Sequence, residues 1–139
     1  MVCIYCSNDT GVYNSRAKAR TPSVWRRRRC LACVAQFTTL ELPDYDSALM
    51  VEGLRGKLYP FRRDKLFLSL HRALGHRKDA IVSASELAST VLGRLLMGKK
   101  APDGVLQIEL VAKTSYAVLK RYDPLAAHSY KAYHQSALK

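Results

Sequence analysis

Residues 24–33 read VWRRRRCLAC, four consecutive arginines that run directly into a C-x2-C cysteine pair. A second C-x2-C pair, Cys3-Ile-Tyr-Cys6, lies near the amino terminus. Tetrahedral zinc takes four soft ligands, and each C-x2-C turn supplies two thiolates at Zn–S distances of about 2.3 Å. The spacing therefore predicts one structural zinc with no coordination position left open for water. The predicted ligands are Cys3, Cys6, Cys30 and Cys33. The alternative is four structural or redox-active cysteines without a metal.

The positive charge of the chain is concentrated around the same stretch. The formal net charge is +12, with 23 Lys plus Arg against 11 Asp plus Glu, which favours an anionic partner. No acidic residue occurs between Asp9 and Glu41, whereas that interval holds seven cations. Guanidinium groups bind phosphates and guanine edges in a bidentate manner, so the arginines predict nucleic-acid binding. The candidates are Arg16, Arg26, Arg27, Arg28 and Arg29, with Lys18 and Arg20 from the intervening loop near the same surface. Because side chains alternate along a strand, two of the four consecutive arginines are expected on each face.

Two domains are expected in a chain of the α+β class. Residues 1–43 have few large aliphatic side chains, and so small a segment needs a metal to fold. Residues 42–48 are typical of a linker, and residues 49–139 carry long amphipathic stretches. No segment approaches the roughly 20 apolar residues of a membrane span, and the amino-terminal residues lack the basic region, long apolar run and cleavage site that are typical of a secretory signal. We therefore expect a cytoplasmic protein without a membrane partner, whose thiols stay reduced.

The second domain is predicted to contain a β-hairpin followed by about four helices. Residues 49–61 favour two short strands around Gly53 and Gly56. Apolar residues at helical spacing predict three helices. The first covers residues 62–74, the second runs from a capping box at 83–86 to a stop at Gly98, and the third covers residues 108–122. A loop through 102–104 precedes the third helix. Asp123 and Pro124 are expected as the N-cap and first residue of a fourth helix that continues to about Ala137.

The motifs of the first domain resemble those of the NrdR family, bacterial transcriptional repressors of ribonucleotide reductase genes. The family pattern is C-x2-C, D-T-x-V-x-D-S-R, R-R-R-R-x-C-x2-C and R-F-T-T-x-E. The matching residues are Asp9-Thr10, Val12, Asn14-Ser15-Arg16, the four arginines, the four cysteines and Phe37-Thr38-Thr39-Leu40-Glu41. One departure is that Arg29 directly precedes Cys30, where the family keeps a spacer residue.

The resemblance continues into the second domain, where the family carries an ATP-cone. Pro60-Phe61-Arg62-Arg63-Asp64-Lys65-Leu66 is similar to the P-F-x-x-x-K-L stretch of that cone. The V-x-K-R-D-G entry of the family is replaced by residues 51–56, VEGLRG, which keep only its first and last residues. The resemblance implies a nucleotide site at Val51, Arg55, Lys57 and Lys65.

The function that the resemblance implies is repression through double-stranded operator DNA, with ATP and dATP as effectors. Nucleotide binding to the cone would change the association of a homo-oligomer and so the number of ribbons that bind DNA together. Such a protein would be associated with the nucleoid. The alternative is a zinc-ribbon nucleic-acid module whose cone is only an oligomerisation scaffold. An enzyme is not expected, because the sequence has no G-x4-G-K-[ST] loop and its four histidines show no pattern with carboxylates.

Overall fold

The structure is a computed structural model that describes residues 1–17, 22–97 and 102–138 of the chain. The chain divides into two compact units, Met1–Asp44 and a second unit that begins at Tyr45. The first unit is built from strands and the second from a small sheet and helices. The α+β class predicted from the sequence is confirmed.

Unit 1 is a three-stranded antiparallel sheet in the order β1-β2-β3. The strands are β1 (Thr10–Ala17), β2 (Val24–Cys30) and β3 (Gln36–Glu41). The arginine run therefore forms the central strand of the sheet. The pairing of β1 with β2 is interrupted between Val12 and Asn14, where Tyr13 is the extra residue of a bulge.

Unit 1 has almost no hydrophobic interior. Among its described residues only Cys3, Ser23 and Cys30 are buried. A sheet of this size that buries so little apolar surface does not hold its fold by the hydrophobic effect alone. The two buried cysteines lie at the end of the sheet that must supply the stability that a hydrophobic core would otherwise provide.

Unit 2 contains a second three-stranded sheet, in the order β5-β4-β6. Strands β4 (Met50–Glu52) and β5 (Leu58–Pro60) form the predicted hairpin. Strand β6 (Val105–Gln107) pairs in parallel with β4 and was not predicted; only a loop and then a helix were expected there. Three residues are too few to show the alternation by which a strand is recognised in a sequence.

The described residues of unit 2 also form five α-helices. They are α1 (Tyr45–Ala48), α2 (Arg63–Ala73), α3 (Ala80–Leu96), α4 (Ile108–Tyr122) and α5 (Pro124–Tyr133). The predicted apolar stripes of α2, α3 and α4 face one core, although Tyr122 at the end of the α4 stripe is exposed. The most enclosed leucines of this core are Leu70, Leu74, Leu95, Leu106 and Leu119. The four predicted helices are thereby confirmed, and α1 is a helical turn inside the segment that was expected to be a linker.

Two helix boundaries differ from the prediction. Helix α3 begins at Ala80, so Ser83 lies inside its first turn and does not cap it; the Ser83 Oγ instead donates a hydrogen bond to Asp79 Oδ2 at 2.9 Å. Helix α5 ends at Tyr133 and is followed by a 3₁₀ turn over Gln135–Ala137. The capping-box prediction is wrong because Ala80 and Ser83 are both buried, and their packing extends the helix toward its amino end.

The other two predicted boundaries concern Asp123 and Gly98. Asp123 is the N-cap of α5, and its Oδ1 accepts hydrogen bonds from the backbone of Leu125 and Ala126 at 2.9 and 3.1 Å, as predicted. Helix α3 ends at Leu96, and Gly98, the predicted stop, lies outside the described residues.

Candidate metal centre and nucleic-acid interface

The four cysteines of unit 1 converge on one point. Their Sγ atoms all lie within 4.8 Å of one another. The Cys3–Cys33 and Cys6–Cys30 sulfur pairs are 3.7 and 3.5 Å apart. A tetrahedron with Zn–S bonds of about 2.3 Å has S–S edges of about 3.8 Å. The thiol arrangement therefore fits a single tetrahedral zinc ion.

The two C-x2-C turns have the same backbone construction. In each turn the first cysteine donates its N–H to a carbonyl five residues later, from Cys3 to Asn8 at 2.7 Å and from Cys30 to Ala35 at 2.9 Å. The residue that follows each pair has a positive φ, 59° at Ser7 and 62° at Val34. This conformation is rare for a β-branched residue, so the turn is held in place by its surroundings.

Hydrogen bonds to sulfur complete the site. The backbone N–H groups of Ala32 and Cys33 point at the Cys30 Sγ at 3.4 Å, and that of Tyr5 points at the Cys3 Sγ at 3.5 Å. The side-chain amide of Asn8 lies 3.5 Å from the Cys6 Sγ. Donors of this kind orient metal-bound thiolates and stabilise their negative charge.

Two of the four thiols have pKa values shifted in opposite directions. The pKa of Cys6 is lowered to about 6, first by the hydrogen bond from the Asn8 side chain and then by the Asn8 backbone. At Cys33 the backbone N–H of Ala35 lowers the pKa, but the neighbouring thiols of Cys6 and Cys30 outweigh it and the pKa is raised to about 12. Thiols this close cannot all ionise unless a cation offsets their charge. A divalent metal supplies that charge and deprotonates its thiol ligands.

Zinc held by these four residues would be structural. With four protein ligands the coordination shell is full, so the metal would join the two turns and hold the ends of β1, β2 and β3. Its binding energy would replace the hydrophobic core that unit 1 lacks.

The arginine run alternates between the two faces of the sheet, as predicted. Arg27 and Arg29 are exposed, whereas Arg26 and Arg28 are half-buried. Strand register places Arg16 opposite Trp25, on the same side as Arg27 and Arg29. We call the side that carries Arg16, Arg27 and Arg29 the basic face.

Two polar side chains that the sequence analysis did not single out belong to the basic face. The Tyr13 hydroxyl lies 2.8 Å from Gln36 Oε1, and the Arg27 guanidinium carbon lies 6.0 Å from the centre of the Tyr13 ring. In the sequence Tyr13 would be expected on the side of Ser15, but the bulge turns it to the side of Arg27. Only the strand pairing reveals this placement.

On the opposite face both arginines contact other residues of the sheet, but only Arg26 has a carboxylate partner. Arg26 forms an ion pair with Glu41 at 2.9 Å. Arg28 Nε donates to Thr39 Oγ1 at 3.3 Å, and its terminal nitrogen lies 3.5 Å from Thr10 Oγ1. In the described part of the chain, no carboxylate lies within ion-pair distance of Arg16, Arg27 or Arg29. The candidates Lys18 and Arg20 lie outside the described residues.

A cavity of about 370 Å³ opens in unit 2 between the sheet and helices α2, α4 and α5. Apolar side chains form most of its wall, with Arg62 and Lys65 among its lining residues. Arg62 is already paired with Asp46 at 3.0 Å, which lowers the pKa of that carboxyl. On the inner wall His134 Nε2 lies 2.8 Å from Ser69 Oγ, and the His134 ring packs on Tyr130 with centroids 4.3 Å apart.

The structure brings two of the four predicted nucleotide-binding residues to this cavity. Val51 and Lys65 line it, whereas Arg55 and Lys57 lie exposed on the hairpin and do not. The Lys57 Nζ lies 5.4 Å from the centre of the Tyr59 ring, and Tyr59 is itself a lining residue. Lys57 therefore does not line the cavity itself, but its side chain lies beside Tyr59, which does.

One histidine meets a carboxylate in a way that the sequence did not indicate. His76 Nε2 lies 2.9 Å from Asp123 Oδ2, and Arg77 contacts the same carboxylate at 3.3 Å. Asp123 caps helix α5, so this contact joins the α2–α3 connection to the start of α5. The group is a structural ion-pair cluster at a helix end.

An antiparallel sheet with two cysteine turns around one tetrahedral site defines the first unit as a zinc ribbon. The family model for the "Transcriptional repressor NrdR-like, N-terminal domain" matches residues 1–41. A protein of Halorhodospira halophila named "Transcriptional repressor NrdR" is 31% identical over 91% of this chain and 90% of its own length. A protein of the same name from Symbiobacterium thermophilum is 27% identical over 87% of each chain. The chain belongs to the NrdR family of transcriptional repressors.

Membership in this family agrees with the expectation of a regulator that is not an enzyme, because the relatives are named as repressors. Across residues 1–17, 22–97 and 102–138, no helix combines the length and the apolar character that a bilayer crossing needs.

Proposed function

We propose that this repressor binds double-stranded operator DNA, upstream of ribonucleotide reductase genes, through the basic face of its zinc ribbon. The observation that carries the proposal is the exposed, unneutralised set of Arg16, Arg27 and Arg29 on one side of a sheet. Arg27 and Arg29 are two residues apart on one strand, which separates their Cα atoms by about 7 Å. Each guanidinium is therefore able to contact a different phosphate or base edge.

The two faces of the sheet have different roles because their arginines contact different residues. Arg26 and Arg28 are held by Glu41 and Thr39, so they stabilise the pairing of the central strand with β3. Arg27 and Arg29 face solvent with Tyr13 and Gln36 beside them. An aromatic ring and an amide next to two guanidinium groups are suited to contacts with sugars and bases in addition to phosphates.

The second part of the proposal is that unit 2 binds adenine nucleotides, ATP or dATP, in the cavity that Val51 and Lys65 line. Its volume of about 370 Å³ lies within the range of small-molecule sites, and its apolar wall suits a purine base. Lys65 is the lining cation without a carboxylate partner among the described residues, which favours it for a phosphate contact. Arg55 and Lys57 would reach a ligand only from the hairpin.

Nucleotide occupancy would control repression by changing how copies of the chain associate. Two tethered ribbons bind two operator repeats far more tightly than one ribbon does, because the second contact is intramolecular. A nucleotide shifts the association equilibrium only if it binds one oligomeric state more tightly than the other. In the alternative, unit 2 is an oligomerisation scaffold without nucleotide control.

The experiment is sedimentation velocity on the zinc-loaded full chain with and without ATP or dATP, alongside binding of a duplex from a ribonucleotide reductase promoter. We expect the sedimentation coefficient and the DNA affinity to change together with nucleotide. Lys65→Gln should remove the response, and Lys78→Gln, which removes an exposed charge that does not line the cavity, should keep it. An identical sedimentation profile with and without either nucleotide would favour the scaffold alternative.

A further inference from the structure

A second concave site lies on unit 2 between helices α4 and α5. This groove, of about 460 Å³, is lined by Tyr116 and Lys120 from α4 and by His128 and Lys131 from α5. Its floor is apolar, because Ala127 and Pro124 lie between the polar side chains. We call it the α4–α5 groove. No residue that lines it also lines the cavity of the proposed nucleotide site.

The two sites use different sides of the same helices. Helix α5 presents Tyr130 to the cavity, and it presents His128 and Lys131 to the groove. Helix α4 likewise turns Val111 to the cavity and Tyr116 to the groove. Residues three or four apart share a helix face, so this partition follows from the helical period. The groove is therefore a separate site on the same helix pair.

The cations of the groove lack neutralising partners. In the described part of the chain, neither Lys120 nor Lys131 has a carboxylate within ion-pair distance. The helix positions three and four residues from Lys131 hold alanine, glutamine and two histidines, whereas Lys120 has Asp123 three residues away. The carboxylate at the junction of the two helices, Asp123, is occupied by His76 and Arg77. The positive charge along the groove is thus left uncompensated within the fold.

The α4–α5 groove also contains the half-buried aromatic ring of Tyr116. Tyr116 is the aromatic lining residue, and it packs at the edge of the hydrophobic core, which fixes the position of its ring. A fixed aromatic face, an apolar floor, two lysines and an imidazole are groups that recognise a molecule with a flat organic part and a phosphate. The concave shape favours a compact ligand over the convex backbone of a duplex.

We propose that the α4–α5 groove binds a small organic phosphate, with the phosphate between Lys120, His128 and Lys131 and the organic part against Tyr116. This second ligand site goes beyond the proposed function and does not depend on the cavity. Because Tyr130 and Lys131 are adjacent on α5, ligands at the two sites would act on the same helix.

The test is acetylation footprinting of the zinc-loaded full chain, with the modification of individual lysines read by mass spectrometry. ATP is the probe, and inorganic tripolyphosphate tests the phosphate alone. At a concentration ten times the Kd, only about a tenth of the sites are free, so Lys120 and Lys131 should react about tenfold more slowly. Lys78 is the internal control and should react at an unchanged rate. Tripolyphosphate should protect the same two lysines at a higher concentration.

The same footprinting measurement distinguishes binding in the cavity from binding in the groove. Protection of Lys65 reports on the cavity, and protection of Lys120 and Lys131 reports on the groove. If ATP protects Lys65 and leaves the groove lysines unchanged, the groove proposal is overturned and the cavity proposal stands. Protection of the groove lysines by a DNA duplex but by neither phosphate probe would also overturn it. The Lys120→Gln, Lys131→Gln double variant should bind one ATP fewer per chain in calorimetry, whereas Lys78→Gln should bind as many as the wild type.

Discussion

Arg27 and Arg28 are adjacent in the sequence but belong to opposite sides of the ribbon. The Arg27 guanidinium lies 6.0 Å from the Tyr13 ring centre, whereas Arg28 Nε donates a hydrogen bond to Thr39 Oγ1 at 3.3 Å on the other face. A run of four arginines is therefore not one cationic surface. It consists of two exposed groups available to a polyanion and two groups that the sheet itself uses.

Removing one pair of arginines at a time should separate these roles. The double variant Arg27→Ala, Arg29→Ala should weaken DNA binding and reduce the log–log salt slope by about 0.9 for each phosphate that is no longer neutralised. The matched variant Arg26→Ala, Arg28→Ala has the same net charge but removes an ion pair and hydrogen bonds inside the sheet. It should lower the melting temperature of the ribbon and retain most of the salt slope. Fluorescence anisotropy across a salt series measures both slopes, and an equal reduction in the two variants would contradict a single basic face.

Removal of one zinc ligand should unfold the ribbon alone. Cys30→Ser removes a buried ligand from a unit that has almost no other interior, so unit 1 should become unfolded and DNA binding should disappear. The helices of unit 2 have their own core and should keep their circular dichroism at 222 nm. Elemental analysis should find about one zinc per wild-type chain and much less in the variant. A zinc-free wild-type protein with a folded ribbon would contradict the metal assignment.

The turn before β6 should not tolerate a side chain. Gly104 has a φ of +75°, and a Cβ there would lie 2.8 Å from the backbone oxygen of Ala48. Gly104→Ala should therefore destabilise unit 2 by about 1–3 kcal/mol. Gly93→Ala is the control, because this helical glycine has open space around it and the change should stabilise by up to about 1 kcal/mol. Guanidinium unfolding followed at 222 nm gives both values, and similar effects of the two substitutions would argue against the close approach at Gly104.

Unit 2 should become less stable on mild acidification because of His134. Burial, and secondly the charge of Arg72, lowers the pKa of His134 below its usual 6.5. The unfolded chain then binds the proton more readily than the folded one, so the stabilisation is complete above about pH 6.5 and is lost as pH falls through the folded pKa. His134→Gln should flatten this dependence in unfolding experiments at 222 nm. His128→Gln, at an exposed position of helix α5, should leave it intact.

The sequence alone determined the features that depend on local chemistry. Two C-x2-C turns specify a tetrahedral thiolate site because zinc imposes its own geometry on any chain that supplies the ligands. The apolar period of α2, α3 and α4 and the Asp123–Pro124 start of α5 were predicted because each depends on neighbours within one or two helical turns. The alternation of the arginines was predicted from the strand period for the same reason.

Tertiary structure decided whatever depends on contacts between distant residues. The bulge at Tyr13 moves an aromatic ring onto the basic face, and β6 becomes a strand only because β4 offers its edge from a distant part of the chain. The start of α3 at Ala80 reflects burial, which outweighs a capping motif three residues later. Likewise the placement of Lys65 at a cavity, away from Arg55 and Lys57, depends on how the hairpin meets the helices. The energies of such contacts are set by packing partners that no local sequence pattern records.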